Sequence, residues 1–131
     1  MNPAVPVSWG ELIDRITILE IKAERLLSAS ARANAAHELA LLHEVEARAK
    51  APPGLGALRA ELAEVNRRLW QIEDDIRAKE MSQTFDRQFI ELARAVYHNN
   101  DERSRIKRAI SELLGSDIVE EKQYVDYRSR G

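Results

Sequence analysis

The chain has 131 residues, enough for one domain with a single buried core. Charged residues make up 32% and aromatics 5%, cysteine is absent, and the formal net charge is -2 with acids and bases interspersed. This excludes disulfides and thiolate metal sites, and it gives neither the basic stripe of a nucleic-acid binder nor the positive excess that draws proteins to anionic membranes.

Much of the sequence is Ala, Leu, Glu and Arg with a 3.5 to 3.6 period, the composition of long helices. Met1 to Gly10 lacks a charged region followed by an apolar run, so it does not read as a secretory signal. No apolar stretch approaches the roughly 20 residues that span a bilayer, so no membrane insertion is expected and the expected location is the cytoplasm.

Pro3 and Pro6 make the first seven residues an extended lead-in. Ser8 and Glu11 fit a capping box at the start of a first helix that runs to about Leu27. Its apolar residues Leu12, Ile13, Ile16, Leu19, Ala23, Leu26 and Leu27 cover one wide arc, while Ile18 and Ile21 lie on other sides. A helix contacted from several directions is the central element of a bundle. A weak break at Ser28 to Ala33 precedes an alanine-rich second helix to about Lys50, with Leu39, Leu42 and Val45 as its modest core. Pro52, Pro53, Gly54 and Gly56 form the clear loop of the chain.

The third helix starts near Leu55 and carries Leu58, Leu62, Val65, Leu69, Ile72 and Ile76, spaced four and three. Met81 to Thr84 reads as a short connection with Thr84 as the cap of a fourth helix, from about Phe85 to Leu114. Low helix propensity at His98 to Asn100 marks a place for a bend, and Gly115 suits a helix terminator. The tail, residues 116–131, keeps Ile118, Val119, Tyr124, Val125 and Tyr127. The expected fold is all-α: an antiparallel bundle of about four helices in a single domain, 1–131, with a C-terminal tail. Heptads this regular predict that helices 3 and 4 pair as a long coiled-coil-like hairpin, one able to protrude and support a dimer.

The fourth helix carries the main clue to function. Phe85, Phe89, Leu92, Val96, Asn99, Arg103, Ile106, Ile110 and Leu113 share one face, apolar except for an amide and a guanidinium in the middle. Asn100 and Lys107 fall within the same arc, and two amides with two cations on an inward face suit a carboxylate or phosphate. Glu20 lies inside the apolar arc of helix 1, where an acid is costly unless paired. Beside the helix 3 core runs a stripe of Asn66, Trp70, Glu73, Arg77 and Glu80, in which Glu73 and Arg77 can pair along the helix.

Convergence of these stripes would give a polar layer of Glu20, Glu73, Asn99 and Arg103. Two readings stay open. Either Arg103 satisfies an acid and fixes helix register, or the candidates Glu20, Glu73, Arg77, Asn99, Asn100, Arg103 and Lys107 line a ligand site. Lys107 is also long enough to snorkel to solvent. Trp70, Tyr97, Tyr124 and Tyr127 are the candidate anchors for a partner. The three histidines read as surface residues. No nucleophile motif, phosphate-cradling loop or Glu-x-x-His pair is present, so no catalytic residue, metal or cofactor is assigned.

Two stretches go beyond periodicity. One is Pro6-Val7-Ser8-Trp9-Gly10-Glu11-Leu12-Ile13-Asp14-Arg15-Ile16-Thr17-Ile18-Leu19-Glu20-Ile21-Lys22. The other runs from Leu69-Trp70-Gln71-Ile72-Glu73-Asp74-Asp75-Ile76-Arg77 through Phe85-Asp86, Phe89-Ile90-Glu91-Leu92-Ala93-Arg94, Asn100-Asp101-Glu102-Arg103 and Ile106-Lys107-Arg108 to Gly115-Ser116 and Glu120-Glu121-Lys122-Gln123-Tyr124. Together they resemble an uncharacterised family, a domain of unknown function, of small helical bacterial proteins. Its members occur alone, or beside or fused to glycosyltransferase-type modules of cell-surface polysaccharide synthesis. The similarity covers nearly the whole chain, and the family carries no activity from which a residue's role could be transferred. It implies a bacterial cytoplasm and a surface-sugar pathway.

Three functional classes follow. The first is a helical accessory protein that binds a second copy of itself or a partner enzyme. The second is a bundle that holds an anionic metabolite, such as a phosphosugar or sugar nucleotide. The third is a small all-α enzyme of the chorismate-mutase type, which acts on a dicarboxylate by electrostatics alone; helix 1 is loosely similar to that family, but its ordered arginines and lysines are not matched.

Overall fold

The computed structural model describes residues 1–129 as four α-helices, α1 (Trp9–Arg25), α2 (Ala29–Glu46), α3 (Leu55–Met81) and α4 (Arg87–Leu113), followed by an extended strap that ends in a short 3-10 turn, Tyr127–Ser129. The all-α bundle matches the periodicity of the sequence, and α3 and α4 pack closely along each other. At about 1.5 Å per residue they are near 40 Å long, against about 25 Å for α1.

Local chemistry explains most boundaries. Ser8 caps α1 by accepting from the Glu11 amide at 3.2 Å. The reciprocal half of the expected capping box is missing, because the Glu11 carboxylate goes instead to the Lys107 ammonium, 2.7 Å away. At the other end Arg32 donates to the carbonyls of Leu26 and Leu27 at 2.7 and 2.9 Å, placing a cation on the negative end of α1. The break before α2 is shorter than its Ser/Ala composition suggests. Ser28 accepts from the Ala31 amide at 3.0 Å and restarts the helix at once.

The α3–α4 connection differs from expectation by two residues. Thr84 does not cap α4. Its amide bonds back to the Lys79 carbonyl at 3.0 Å and that of Gln83 to Glu80 at 3.0 Å, a Schellman termination with Gln83 at φ 51°. Asp86 is the cap, accepting from the Phe89 amide at 3.0 Å while pairing with Lys79 across the turn, also at 3.0 Å. Both bonds hold the Asp86 carboxyl below its ordinary pKa, the amide bond first. From there α4 runs unbroken to Leu113 through His98 to Asn100, where the Asn99 amide donates to its own helix at Ala95. Gly115, at φ 72°, ends α4 in a second Schellman motif: Gly115 bonds to Glu112 at 3.2 Å and Ser116 to Ser111 at 2.8 Å.

α1 touches all three other helices, whereas the backbone of α2 packs on α1 alone. α1 lies across the base of the α3–α4 hairpin. Its start meets α4 at Ser111, its middle lies between Asn66 of α3 and Arg103 of α4, and Glu20 reaches Arg59 of α3. The core of this crossing is Ile13, Leu62, Val65, Ile106 and Ile110, flanked by Trp9, Leu55, Leu58, Leu69 and Leu114. α2 buries only Ala35, so it is a cover rather than a core element.

Candidate functional site

The densest polar cluster is built around a residue that no sequence pattern singled out. Asp14, in the middle of α1, is 1% exposed. Its Oδ1 accepts from Arg103 Nε at 2.9 Å and from Asn66 Nδ2 at 2.9 Å, and its Oδ2 accepts from Arg103 Nη2. The second hydrogen of the Asn66 amide goes to Thr17 Oγ1 at 2.8 Å, and Thr17 donates to the Asp14 carbonyl at 2.8 Å. One turn further along α4, Lys107 Nζ donates to Glu11 at 2.7 Å and to Glu120 of the strap at 3.1 Å, and lies 3.8 Å from Asp14. Three helices and the strap are thus tied through one layer, and among the described residues no buried side-chain polar atom lacks a partner.

The backbone geometry that permits this layer begins at Trp9 and Gly10. The Trp9 amide donates to Ser116 Oγ and the Gly10 amide to Ser111 Oγ, both at 2.9 Å, so the first amides of α1 are satisfied by hydroxyls at the end of α4. Gly10 is required for the approach, since a Cβ there would stand 2.1 Å from the Lys107 carbonyl oxygen and 2.7 Å from Ser111 Oγ.

Electrostatically the cluster is closed. Its two cations, Arg103 and Lys107, face three carboxylates, Asp14, Glu11 and Glu120. The bidentate bond to Asp14 raises the Arg103 pKa against the opposing effect of burial. Burial pulls the Lys107 ammonium down, but its bonds to Glu11 and Glu120 and the field of Asp14 outweigh that, and its pKa lies above the ordinary lysine value. The Lys107 bond holds Glu120 below the ordinary glutamate range.

The candidate residues separate into groups. Arg103 and Lys107 come together through Asp14, and Lys107 is 11% exposed rather than snorkelling. Asn100 lies near them, facing the strap. Glu20 is elsewhere, in a second junction where Arg59 bonds to it at 2.9 Å and to Glu46 at 2.8 Å, joining α1, α2 and α3. Glu73 and Arg77 pair along the exposed face of α3 at 3.4 Å, and Asn99 serves its own helix. The layer of Glu20, Glu73, Asn99 and Arg103 therefore does not form.

Among the candidate anchors, Tyr97 and Tyr127 meet edge-to-face at 5.1 Å, and both rings touch His98. The Tyr127 hydroxyl donates to Asp101 at 2.5 Å, so the proton between it and His98 Nδ1, 3.1 Å away, belongs to the histidine. Tyr124 is exposed on the strap, and Trp70 is half-buried on α3 beyond the core. Sequence reasoning missed Asp14 and Thr17, and noted Asn66 in the helix 3 stripe without assigning it to the polar layer. The available signal was the stripe Gly10, Asp14, Thr17 and Ile21 along a second face of α1.

A second feature lies further out. From Arg67 to Arg105 no residue is buried, although Leu69, Ile72, Ile76, Phe89, Leu92 and Val96 continue the apolar seam. The end of this arm exposes Met81, Phe85 and Ile90, and Phe85 leans edge-on against Phe89 at 5.2 Å. No helix of the described residues is long and apolar enough to cross a membrane, and no group of acidic or histidine side chains among them could hold a metal ion.

Residues 3–130 fit the model described as a family of unknown function, DUF6165, and the chain belongs to that family. No curated protein and no solved structure matches it.

Proposed function

We propose that this member of a family of unknown function is a helical accessory protein whose distal α3–α4 arm pairs with a second copy of the chain. One observation carries the reading: the seam from Leu69 to Val96 is apolar over its whole length, and nothing along it is fully buried. An amphipathic pair of helices without a third layer leaves apolar area in water that a partner can cover. The arm is also electrically balanced. Arg67, Arg68, Arg77, Lys79, Arg87 and Arg94 are matched one for one by Glu73, Asp74, Asp75, Glu80, Asp86 and Glu91, so two copies meet no net repulsion. Two hairpins laid face to face form a four-helix bundle, a common way of burying such seams.

The polar layer supports the same division of labour. With three carboxylates for two cations it does not supply the cationic excess that electrostatic catalysis on a dicarboxylate needs. Its role is to fix the register of α1 on the hairpin. The resemblance to proteins found beside glycosyltransferase-type modules supports placing the dimer in the bacterial cytoplasm, in service of cell-surface polysaccharide synthesis.

The test is light scattering on the eluting protein, for the parent chain and for Phe85→Asp and Ile90→Asp, both at exposed positions. The reading predicts a dimeric parent and monomeric variants of unchanged helicity. A parent that stays monomeric at high concentration overturns it.

A further inference from the structure

The strap returns along α4 in the opposite direction to the helix. Glu120 meets Lys107, Lys122 donates to Ser104 at 2.9 Å, and Tyr127 and Arg128 both reach Asp101. Beyond Ser116, the hydrogen bonds described between strap and helix are made by side chains. Between the two runs a cleft of about 950 Å³, a size that suits a small organic ligand. Lys107, Ser104 and Asn100 are among its polar groups on the helix, where two arginines and two acids also line it, and Tyr97, Tyr124 and Ile118 contribute apolar surface.

Lys107 is the key to the cleft. It is a nearly buried cation bearing two carboxylates of different standing. The two side chains are similarly exposed, at 43% and 50%, and differ in what carries them: Glu11 belongs to α1, which the core crossing fixes, and Glu120 to the extended strap. Without Glu120 the layer holds two cations and two acids, and is neutral. Either glutamate could be the surplus charge by count, and Glu120 is the one that can leave, because it holds Lys107 by the longer bond, 3.1 against 2.7 Å, and sits on the strap rather than on a helix.

We propose that this cleft is a binding site for a small organic anion, a carboxylate or phosphate ester on an aromatic or apolar body, and that Glu120 is its internal stand-in on Lys107. The external anion takes the place of the Glu120 carboxylate; a carboxylate leaves the charge of the layer unchanged, and a phosphate ester adds up to about one further negative charge. Ser104, three residues before Lys107 on α4, offers a hydroxyl on the same wall, Asn100 offers an amide one turn further out, and the tyrosines flank the body of the ligand. Because the strap must give up its carboxylate first, the apparent affinity of the parent chain is reduced by the fraction of time the contact is closed. This site borders the arm and shares Tyr97 with it, but its charged centre at Lys107 lies outside the seam from Leu69 to Val96, so its test does not depend on dimer formation.

The experiment titrates the full chain and Glu120→Gln with phenyl phosphate and with benzoate, using phenol as the uncharged control, and follows the backbone amide resonances of Ser104, Lys107 and Lys122. Both chains should respond to at least one anion and not to phenol, with Glu120→Gln binding at least tenfold more tightly than the parent. A response to one anion alone identifies whether phosphate or carboxylate is the preferred group. Equal affinity in the two chains, a response to phenol as strong as to the anions, or no response in either chain overturns the proposal. Lys107→Met should abolish binding; if that variant does not fold, the Glu120→Gln comparison still decides.

Discussion

Asp14 is enclosed on every side, and its carboxylate has the Arg103 guanidinium as its bidentate counter-charge. Removing the arginine would strand that carboxylate with only Asn66 as a hydrogen-bond donor and with Lys107 at 3.8 Å. Arg103→Met is therefore expected to lose about 3–5 kcal/mol in urea denaturation, the usual cost of breaking a buried pair from one side. The double change Asp14→Leu with Arg103→Met should recover most of the loss, because it removes the stranded charge as well. If the single variant were as stable as the parent, the layer would not hold α1 in place. Arg103 was legible in the sequence because it interrupts an apolar heptad, and Lys107 because it falls within the same arc. Asp14 was not, because its partner is 89 residues away and no local rule pairs them. Glu20 did carry a readable signal, an acid inside an apolar arc, and the structure gives it a partner in Arg59.

At the scale of elements, the Lys107–Glu120 bond holds the first part of the strap, as Lys122–Ser104 and the bonds to Asp101 hold the rest, and the pH response at Glu120 follows from the two shifts. Glu120 has a folded pKa below its unfolded value, so its contribution is present above the ordinary glutamate range and fades as pH falls through the lowered value. Lys107 has a raised pKa, so its contribution is full below the ordinary lysine value and fades as pH rises through the raised one. The strap should thus stay docked across the neutral range and loosen in acid. The methyl resonances of Val119 check this: they should move toward free-chain positions on acidification while the amides of α1 keep theirs. A Val119 signal that moves only together with α1 would contradict it. Element boundaries show where local reasoning works. The start of α1 at Ser8, the start of α3 after the Pro-Gly loop and the end of α4 at Gly115 were all readable, because each rests on the residue at the boundary. The start of α4 was not, since Thr84 and Asp86 are both good caps and the choice depends on Lys79 across the turn.

The whole molecule has two halves with different physical logic. At the base, α1 crosses the hairpin, and the core and the polar layer are fully satisfied. From Arg67 to Arg105 no residue of the hairpin is buried, the strap follows α4 only as far as Tyr97, and the apolar seam further out is one that a single chain does not cover. The heptads of α3 and α4 made this length visible in the sequence, but periodicity gives no sign of where a third helix stops covering a seam. The angle at which α1 crosses sets that limit, and it depends on the Gly10 contact and on the Asp14 layer. Amide hydrogen exchange on the unmodified chain at low and high concentration tests the central claim that the arm is the working surface. Residues 70–98 should gain protection at high concentration while Ile13, Leu62 and Ile106 exchange at the same rate in both. Exchange in the arm that does not change with concentration would contradict the account.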